Sequence, residues 1–334
     1  MSDDYLWDAS GTPDPDVEHL ERLLGRLRSA PPVPVLPQEV HRRFTARSAL
    51  PILATAATVA LMVGATWRAT RSMASWEVAR LSGEPRIESK PLADAGRIAV
   101  GQTLVTDAVS QARLQVSTIG EVTVGANSRV RLVDTRDAHH QLALDVGTLR
   151  AVISAPPGQF IVDTPSATAT DLGCSYTLHV DEEGVALLSV TAGWVALEAN
   201  GRESFVPAGA SCRTDPDHGP GTPRYDDADQ AYRDALDAFD YSGDAARAAG
   251  LRYLLAHAGA GDALTLWHLI ARVDPADRPA VVDALEDQVA MPSGVTRDAV
   301  LRLDRRALDL WWENLGLGTA SWWRTWKGLG ISSK

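Results

Sequence analysis

Cys174 and Cys212 are the two cysteines of this sequence, and both fall within one predicted domain. A disulfide between them would close a loop of about 38 residues and stabilise the fold by about 4 kcal/mol in the chain-entropy model. Such a bond requires an oxidising compartment and Cα atoms within about 7 Å of each other. The alternative is that both thiols are buried as small hydrophobic side chains.

The other candidate catalytic or metal-binding side chains are not spaced as an active site would require. His139 and His140 are adjacent in DTRDAHHQ, where neighbouring side chains seldom bind one metal, so we expect a solvated loop. The sequence lacks a phosphate-binding P-loop, a dinucleotide glycine fingerprint, G-x-S-x-G and H-E-x-x-H. We therefore predict no catalytic, cofactor-binding or metal-binding residues, and a protein that is not an enzyme.

Composition limits the class of partner. The chain has 334 residues, enough for two or three domains, and a formal net charge of −11 at pH 7. Nucleic-acid binding needs clustered lysine and arginine to neutralise phosphates. We therefore expect no nucleic-acid partner.

Residues 49–67, ALPILATAATVALMVGATW, contain no charged side chain. As a helix they would reach about 28 Å, close to the hydrocarbon thickness of a bilayer. Three arginines precede the stretch and two follow it, which places the N-terminus in the cytoplasm under the positive-inside rule. We predict one transmembrane helix over residues 48–68; its many alanines and threonines leave a secretion signal or a buried helix as alternatives.

Residues 1–47 are expected to form a cytoplasmic helical tail followed by a proline-rich linker. Apolar residues at helical spacing predict either a surface helix or a helix that binds a partner through its leucine face. The candidate partner-binding residues are Trp7, Leu20, Leu23, Leu24 and Leu27.

Beyond the apolar stretch, the hydrophobic pattern predicts two domains of different class. After a juxtamembrane linker at 69–91, residues 92–214 alternate apolar and polar side chains between frequent turn signals, which predicts an all-β sandwich, barrel or solenoid. A second linker is expected at 215–227, and residues 228–334 show helical periodicity. The predicted fold is therefore multi-domain α+β, with a C-terminal helical bundle.

The helical region is rich in tryptophan. We expect these rings either to pack between the last helices or to form an exposed docking surface, because tryptophan is enriched in binding hot spots. The candidate docking residues are Trp312, Trp323 and Trp326.

Six segments of the β region follow one another in a recognisable order: GQTLVT (101–106), VTVGANSRVRL (122–132), LDVGTLRA (144–151), FIVDTPSATATDLGCSYTLHV (160–180), VTAGWVAL (190–197) and VPAGAS (206–211). In this order they resemble the FecR domain, the extracytoplasmic part of bacterial transmembrane signal regulators. The resemblance covers roughly residues 94–214. The segment DYLWDASGTPDPDVEHLERLLGRLR also resembles the cytoplasmic anti-sigma tails of such proteins.

The resemblance implies a single-pass protein of the bacterial inner membrane. Its periplasmic β domain would sense a signal, through an unknown envelope protein or ligand, and its cytoplasmic tail would control a sigma factor. The alternative is an envelope binding or scaffold module without a transcriptional role.

This sequence departs from the family at two places. Gly173-Cys174 stands where the family has Gly-Thr, and tryptophan-rich helices replace the end that contacts a TonB-dependent transporter in some members. Because some relatives cleave themselves at that Gly–Thr bond, the resemblance adds an N-to-S acyl shift as a third interpretation of Cys174.

Overall fold

The computed structural model of the chain describes residues 75–317, together with His19 and Leu24. The chain divides into two compact units, Met1–Met62 and Val63–Lys334. In the first unit, Leu24 is helical and 57% exposed.

The β domain occupies residues 75–225. Its strands are β1 (Ser75–Ser82), β2 (Arg86–Ile87), β3 (Lys90–Pro91), β4 (Ala95–Ala99), β5 (Thr103–Val105), β6 (Gln111–Val116), β7 (Gly120–Val124), β8 (Arg129–Arg136), β9 (His139–Ile153), β10 (Phe160–Asp163), β11 (Thr168–Asp171), β12 (Ser175–Val180), β13 (Ala186–Ala192), β14 (Trp194–Ala199), β15 (Arg202–Pro207), β16 (Ala210–Asp215), β17 (Gly219–Pro220) and β18 (Arg224–Tyr225).

The strands form two sheets that share β9. The first sheet has the order β4-β1-β6-β7-β9-β12-β13-β16, and β17 and β18 both pair with β16. The second has the order β3-β2-β5-β8-β9-β10-β11-β14-β15. Only β9 and β10 pair in parallel, among the strands that the structure describes.

The alternation of apolar and polar residues predicted from the sequence identifies the side chains that form the core. In β6 the buried residues Ala112, Leu114 and Val116 alternate with exposed polar ones, as expected for strands with one buried face. The inward side chains of both sheets belong to one continuous hydrophobic cluster. The described part of the chain is therefore mostly β, with a helical C-terminal part, in agreement with the α+β prediction.

Both predicted linkers contain strands. β1 lies within 69–91 and buries Trp76 and Val78, but two apolar positions are too few to reveal a strand in the sequence. β17 and β18 lie within 215–227, where the glycine- and proline-rich segment 219–223 is buried. Its composition is typical of a loop, yet its polar backbone groups find partners in the helical domain.

Within the described residues, six helices follow the strands. They are α1 (Gln230–Tyr241), α2 (Asp244–His257), α3 (Ala263–Ile270), α4 (Arg278–Gln288), α5 (Arg297–Leu301) and α6 (Arg305–Asn314). Thr296 caps α5 through its side chain, which accepts the Ala299 N–H. Leu303 has φ 58, and Asp304 caps a separate helix α6.

The predicted membrane span at 48–68 lies outside the described residues. Within the part of the chain that the structure describes, no helix is both long enough and apolar enough to cross a bilayer.

Gly147 allows β9 to pass from one sheet to the other. It has φ 100, and a Cβ atom at this position would lie 2.4 Å from the Ser128 Cα atom. The Ser128 backbone is held by hydrogen bonds with Thr106, so it cannot retreat easily. The strand can therefore cross between the sheets only with glycine at this point.

We expect Gly147→Ala to destabilise the purified protein by about 2–3 kcal/mol, because strain at positive φ adds to a backbone clash. The measurement is urea unfolding followed by tryptophan fluorescence. Gly101→Ala is the matched control, since Gly101 has φ 89 but nothing within 4 Å of its Cβ position. Equal losses in the two variants would show that the approach to Ser128 is unimportant.

Candidate functional site

The β domain and the helical domain meet at a buried ion pair. Asp240, in the last turn of α1, has a side chain only 2% exposed. Its carboxylate accepts hydrogen bonds from the Thr222 N–H at 2.6 Å and from Arg202 Nη2 at 3.1 Å, and it lies 3.5 Å from Arg272 Nη1. A carboxylate buried to this extent is stable only when its charge and lone pairs are satisfied.

Arg272, which follows α3, donates several hydrogen bonds to the β domain. Its guanidinium donates to Ser204 Oγ at 2.7 Å, to the Glu203 carbonyl at 3.0 Å and to Thr222 Oγ1 at 3.0 Å. Burial lowers the pKa of Arg272, and the charge of Asp240 opposes this effect. One side chain of the helical domain thus holds both strand β15 and the segment 219–223.

An aromatic cluster lies beside this ion pair. The ring centroid of Trp312 on α6 is 5.8 Å from that of Phe205 on β15 and 4.8 Å from that of Trp267 on α3. The Trp267 indole N–H donates to the Leu308 carbonyl at 3.0 Å. These contacts bury large apolar surfaces against the sheet, so the helical domain is packed on the β domain.

His268 joins the helical domain to the backbone of β15. Its Nδ1–H donates to the Leu264 carbonyl at 2.9 Å, so Nε2 carries the lone pair that accepts the Phe205 N–H at 3.1 Å. The contact requires the neutral ring. It satisfies a strand N–H that helix packing would otherwise bury without a partner.

The predicted docking role of Trp312 is wrong. Its side chain is 2% exposed and contacts Phe205, Trp267 and His268. The alternative interpretation, aromatic packing, describes both Trp311 and Trp312. Trp323 and Trp326 lie outside the described residues.

The candidate disulfide is not formed. Cys174 and Cys212 are both buried free thiols with different partners. The Cys174 thiol donates to Asp171 Oδ2 at 2.7 Å, and the Cys212 thiol donates to the Gly221 carbonyl at 3.2 Å. Burial raises the pKa of both thiols, that of Cys212 to about 12, so both remain protonated near neutral pH.

Asp171 and Cys174 lie where the chain passes from β11 in the second sheet to β12 in the first. The Asp171 carboxylate accepts the Gly173 N–H at 2.6 Å as well as the Cys174 thiol. Burial raises the pKa of Asp171 to about 6, although both hydrogen bonds oppose the change. A protonated thiol bound to this carboxyl group provides no thiolate for an acyl shift.

The elevated pKa of Asp171 makes stability depend on pH. The folded state retains its proton up to about pH 6 whereas an unfolded aspartate releases it near 3.8, so stability falls as the pH rises through this range. We expect Asp171 to contribute a loss of about 2 kcal/mol between pH 4 and pH 7, and Asp171→Asn should remove this contribution. Urea unfolding at both pH values measures this loss. Asp217→Asn, at an exposed aspartate, is the control and should retain the full dependence.

His140 is not in a solvated loop. It is buried in β9, 5.9 Å from the Trp76 ring between centroids, and its Nδ1 lies 2.9 Å from Thr135 Oγ1. The Trp76 indole N–H donates to the same hydroxyl at 2.8 Å. Burial lowers the pKa of His140, which therefore favours the neutral ring. Because the residues around His140 are polar, the sequence does not reveal the short hairpin at the start of β9.

Sequence reasoning missed Asp240, Arg272 and Asp171. A charged side chain in a helical segment is usually solvated, and the pairing of Asp240 with Arg272 spans two helices. One feature of the sequence did point to Arg272, since it lies between the largely apolar segment Leu266–Ile270 and the apolar Val273. Of the tail residues, Leu24 is described and exposed; Trp7, Leu20, Leu23 and Leu27 lie outside the described residues.

These features define a two-sheet β domain that carries a helical domain through a buried ion pair and an aromatic cluster. Residues 102–196, within the β domain, match the family model described as FecR protein. This match confirms the predicted resemblance of the β region to the FecR domain over these residues.

Two crystal structures of a "putative anti-sigma factor" from Parabacteroides distasonis ATCC 8503, at 1.65 and 2.50 Å resolution, are similar to this chain. Each match has 15% sequence identity and a TM-score of 0.34, and covers 41% of this chain and 63% of the other. This chain thus spans less than two thirds of the length of that protein. No curated protein matches the chain.

Proposed function

We propose that the protein is a single-pass signal regulator of the bacterial inner membrane. The observation that carries the proposal is the position of the FecR domain, 102–196, after an uncharged stretch at 49–67. In this arrangement the β and helical domains are periplasmic and receive a signal. The tail at 1–47 is cytoplasmic and controls a sigma factor.

The junction between the domains supports a role in signalling. A ligand or envelope protein changes the output only if it binds two arrangements of the protein with different affinity. The contacts of Arg272, Asp240 and Trp312 make the β and helical domains one packed unit. A partner that binds the helical domain therefore also acts on the FecR domain.

The tail provides the direct test. We expect residues 1–47 to co-purify an extracytoplasmic-function sigma factor from the same bacterium, because leucines at helical spacing offer an apolar face to a partner. Leu20→Asp/Leu24→Asp should reduce recovery at least about tenfold, since two buried leucines contribute more than 1.4 kcal/mol to an interface. Immunoblotting of the eluate measures recovery.

Glu18→Gln/Arg22→Gln changes polar positions of the same segment and is the matched control. Equal recovery by all three versions would contradict the proposed interface. The scaffold alternative makes a different prediction: deletion of residues 1–30 would leave transcription from the sigma factor's promoters unchanged.

A further inference from the structure

Three arginines form an exposed patch on the outer face of the second sheet. Arg129 and Arg131 lie on β8, where Val130 and Leu132 point into the core, so both arginines point outward. The pairings of Arg86 with Val105 and of Val105 with Arg129 place Arg86 on the same face. We call Arg86, Arg129 and Arg131 the arginine patch.

The spacing of the arginine patch suits a surface with many anionic groups. Arg129 and Arg131 are two residues apart on one strand, about 7 Å, and Arg86 is two strands away from Arg129, about 10 Å. Three guanidinium groups at this separation can each bind a different phosphate in bidentate geometry. Thr103, which pairs with Arg131, adds a hydroxyl to the same face.

The charge of the arginine patch is not neutralised within the β domain. Among residues 75–317, Arg80, Arg97 and Arg113 form ion pairs with acidic side chains, whereas the three patch arginines form none. Two carboxylates border the patch. Glu88 accepts the Thr103 N–H at 2.7 Å, and Asp145 is exposed on the neighbouring strand β9.

The arginine patch begins close to the point where the described chain enters the β domain. Ser75 pairs with Ala99, the Ala99 carbonyl accepts the Gln102 N–H at 3.0 Å, and the Gln102 carbonyl accepts the Leu132 N–H at 3.1 Å. Leu132 adjoins Arg131. One strand pairing and two backbone hydrogen bonds therefore connect Ser75 to the residue next to Arg131.

We propose that the arginine patch docks the β domain onto the anionic phospholipid headgroups of the bilayer that holds residues 48–68. This inference rests on the proposed function for the membrane anchor. Only seven residues separate Trp67 from Ser75, at most about 25 Å of chain, so the patch stays within reach of the membrane.

The experiment uses the full chain in vesicles, with a fluorophore attached at Thr103→Cys inside the arginine patch. The native cysteines are buried, so labelling is selective. Quenching by nitroxide-labelled headgroups is compared between neutral phosphatidylcholine vesicles and vesicles that also contain phosphatidylglycerol. Arg86→Gln/Arg129→Gln/Arg131→Gln is the test variant. Arg97→Gln/Arg113→Gln/Arg150→Gln removes three exposed charges from the outer face of the first sheet and is the matched control.

We expect strong quenching only in the anionic vesicles, lost at high salt. Each arginine near such a surface changes the docking equilibrium about fivefold, so the triple variant should lose about a hundredfold. The control variant should behave as the wild type. Equal quenching in neutral vesicles, or no effect of the triple variant, would overturn the inference.

Carbonate extraction of the same vesicles tests the anchor separately. A chain that carbonate leaves in the membrane but that shows no quenching overturns docking alone. A chain that carbonate removes, yet shows salt-sensitive quenching at neutral pH, overturns the anchor and supports docking by the arginine patch. Removal without quenching overturns both.

Discussion

Arg272→Met is expected to destabilise the folded protein by about 3–5 kcal/mol, because removing the buried partner of an ion pair leaves the remaining buried charge poorly compensated. Asp240 would remain buried, with Arg202 as its remaining ionic partner. Ser204 Oγ and the Glu203 carbonyl would each lose a hydrogen bond as well. Urea unfolding of the purified chain, followed by tryptophan fluorescence, measures the loss.

Two variants test the cause. Arg202→Met removes a partner of Asp240 that is partly exposed, so it should cost about 1 kcal/mol. Arg272→Met/Asp240→Leu removes both charges, so it should be more stable than Arg272→Met alone. A loss below about 1 kcal/mol for Arg272→Met would show that the ion pair does not hold the domains together.

Trp312→Ala is expected to cost about 3–5 kcal/mol, the usual effect of truncating a buried tryptophan. The substitution removes the ring that contacts both Phe205 and Trp267, and so opens a cavity between β15 and the helices. We also expect trypsin to cut the variant faster near Arg224, at the end of the β domain. Unfolding curves and timed digestion measure the two effects.

This prediction separates the two interpretations of the aromatic cluster. If Trp312 served mainly to dock a partner, its removal would leave the free energy of unfolding almost unchanged. Trp194→Ala is the matched control, because Trp194 on β14 is only partly buried and should cost less. Equal losses for Trp194→Ala and Trp312→Ala would argue against a special role of the cluster.

Much of the β domain was predictable because alternation is a local property. A strand with one buried face must place an apolar side chain at every second position, and Leu114, Val116, Val122 and Val124 do so. β1 and β17 escaped prediction for the opposite reason. β17 has only two residues, and β1 buries only Trp76 and Val78 of its eight residues, so neither shows a readable alternation. The pairing of β1 is also fixed by β4 and β6, which come later in the chain.

The candidate site was less predictable. The sequence drew attention to Trp312 as a possible docking residue, but it left the exposure of the ring open. Cys174 and Cys212 likewise drew attention as a pair, whereas the fold gives each thiol a separate acceptor. Whether a side chain is buried, and which group it contacts, depends on which surfaces of the fold pack together. The local spacing of residues in the sequence does not specify this packing.

Four features can be recognised from the amino-acid sequence alone. They are the uncharged stretch at 49–67, the alternation of apolar and polar residues in the β region, the helical periodicity after it, and the order of segments that matches the FecR domain. Each of these features depends only on residues that are close together along the chain. Only the tertiary structure decided that Asp240 meets Arg272, that Trp312 covers Phe205, and that Arg86 joins Arg129 and Arg131 on one face. These contacts join residues brought together by sheet register and helix packing, so their energies exist only once the chain has folded.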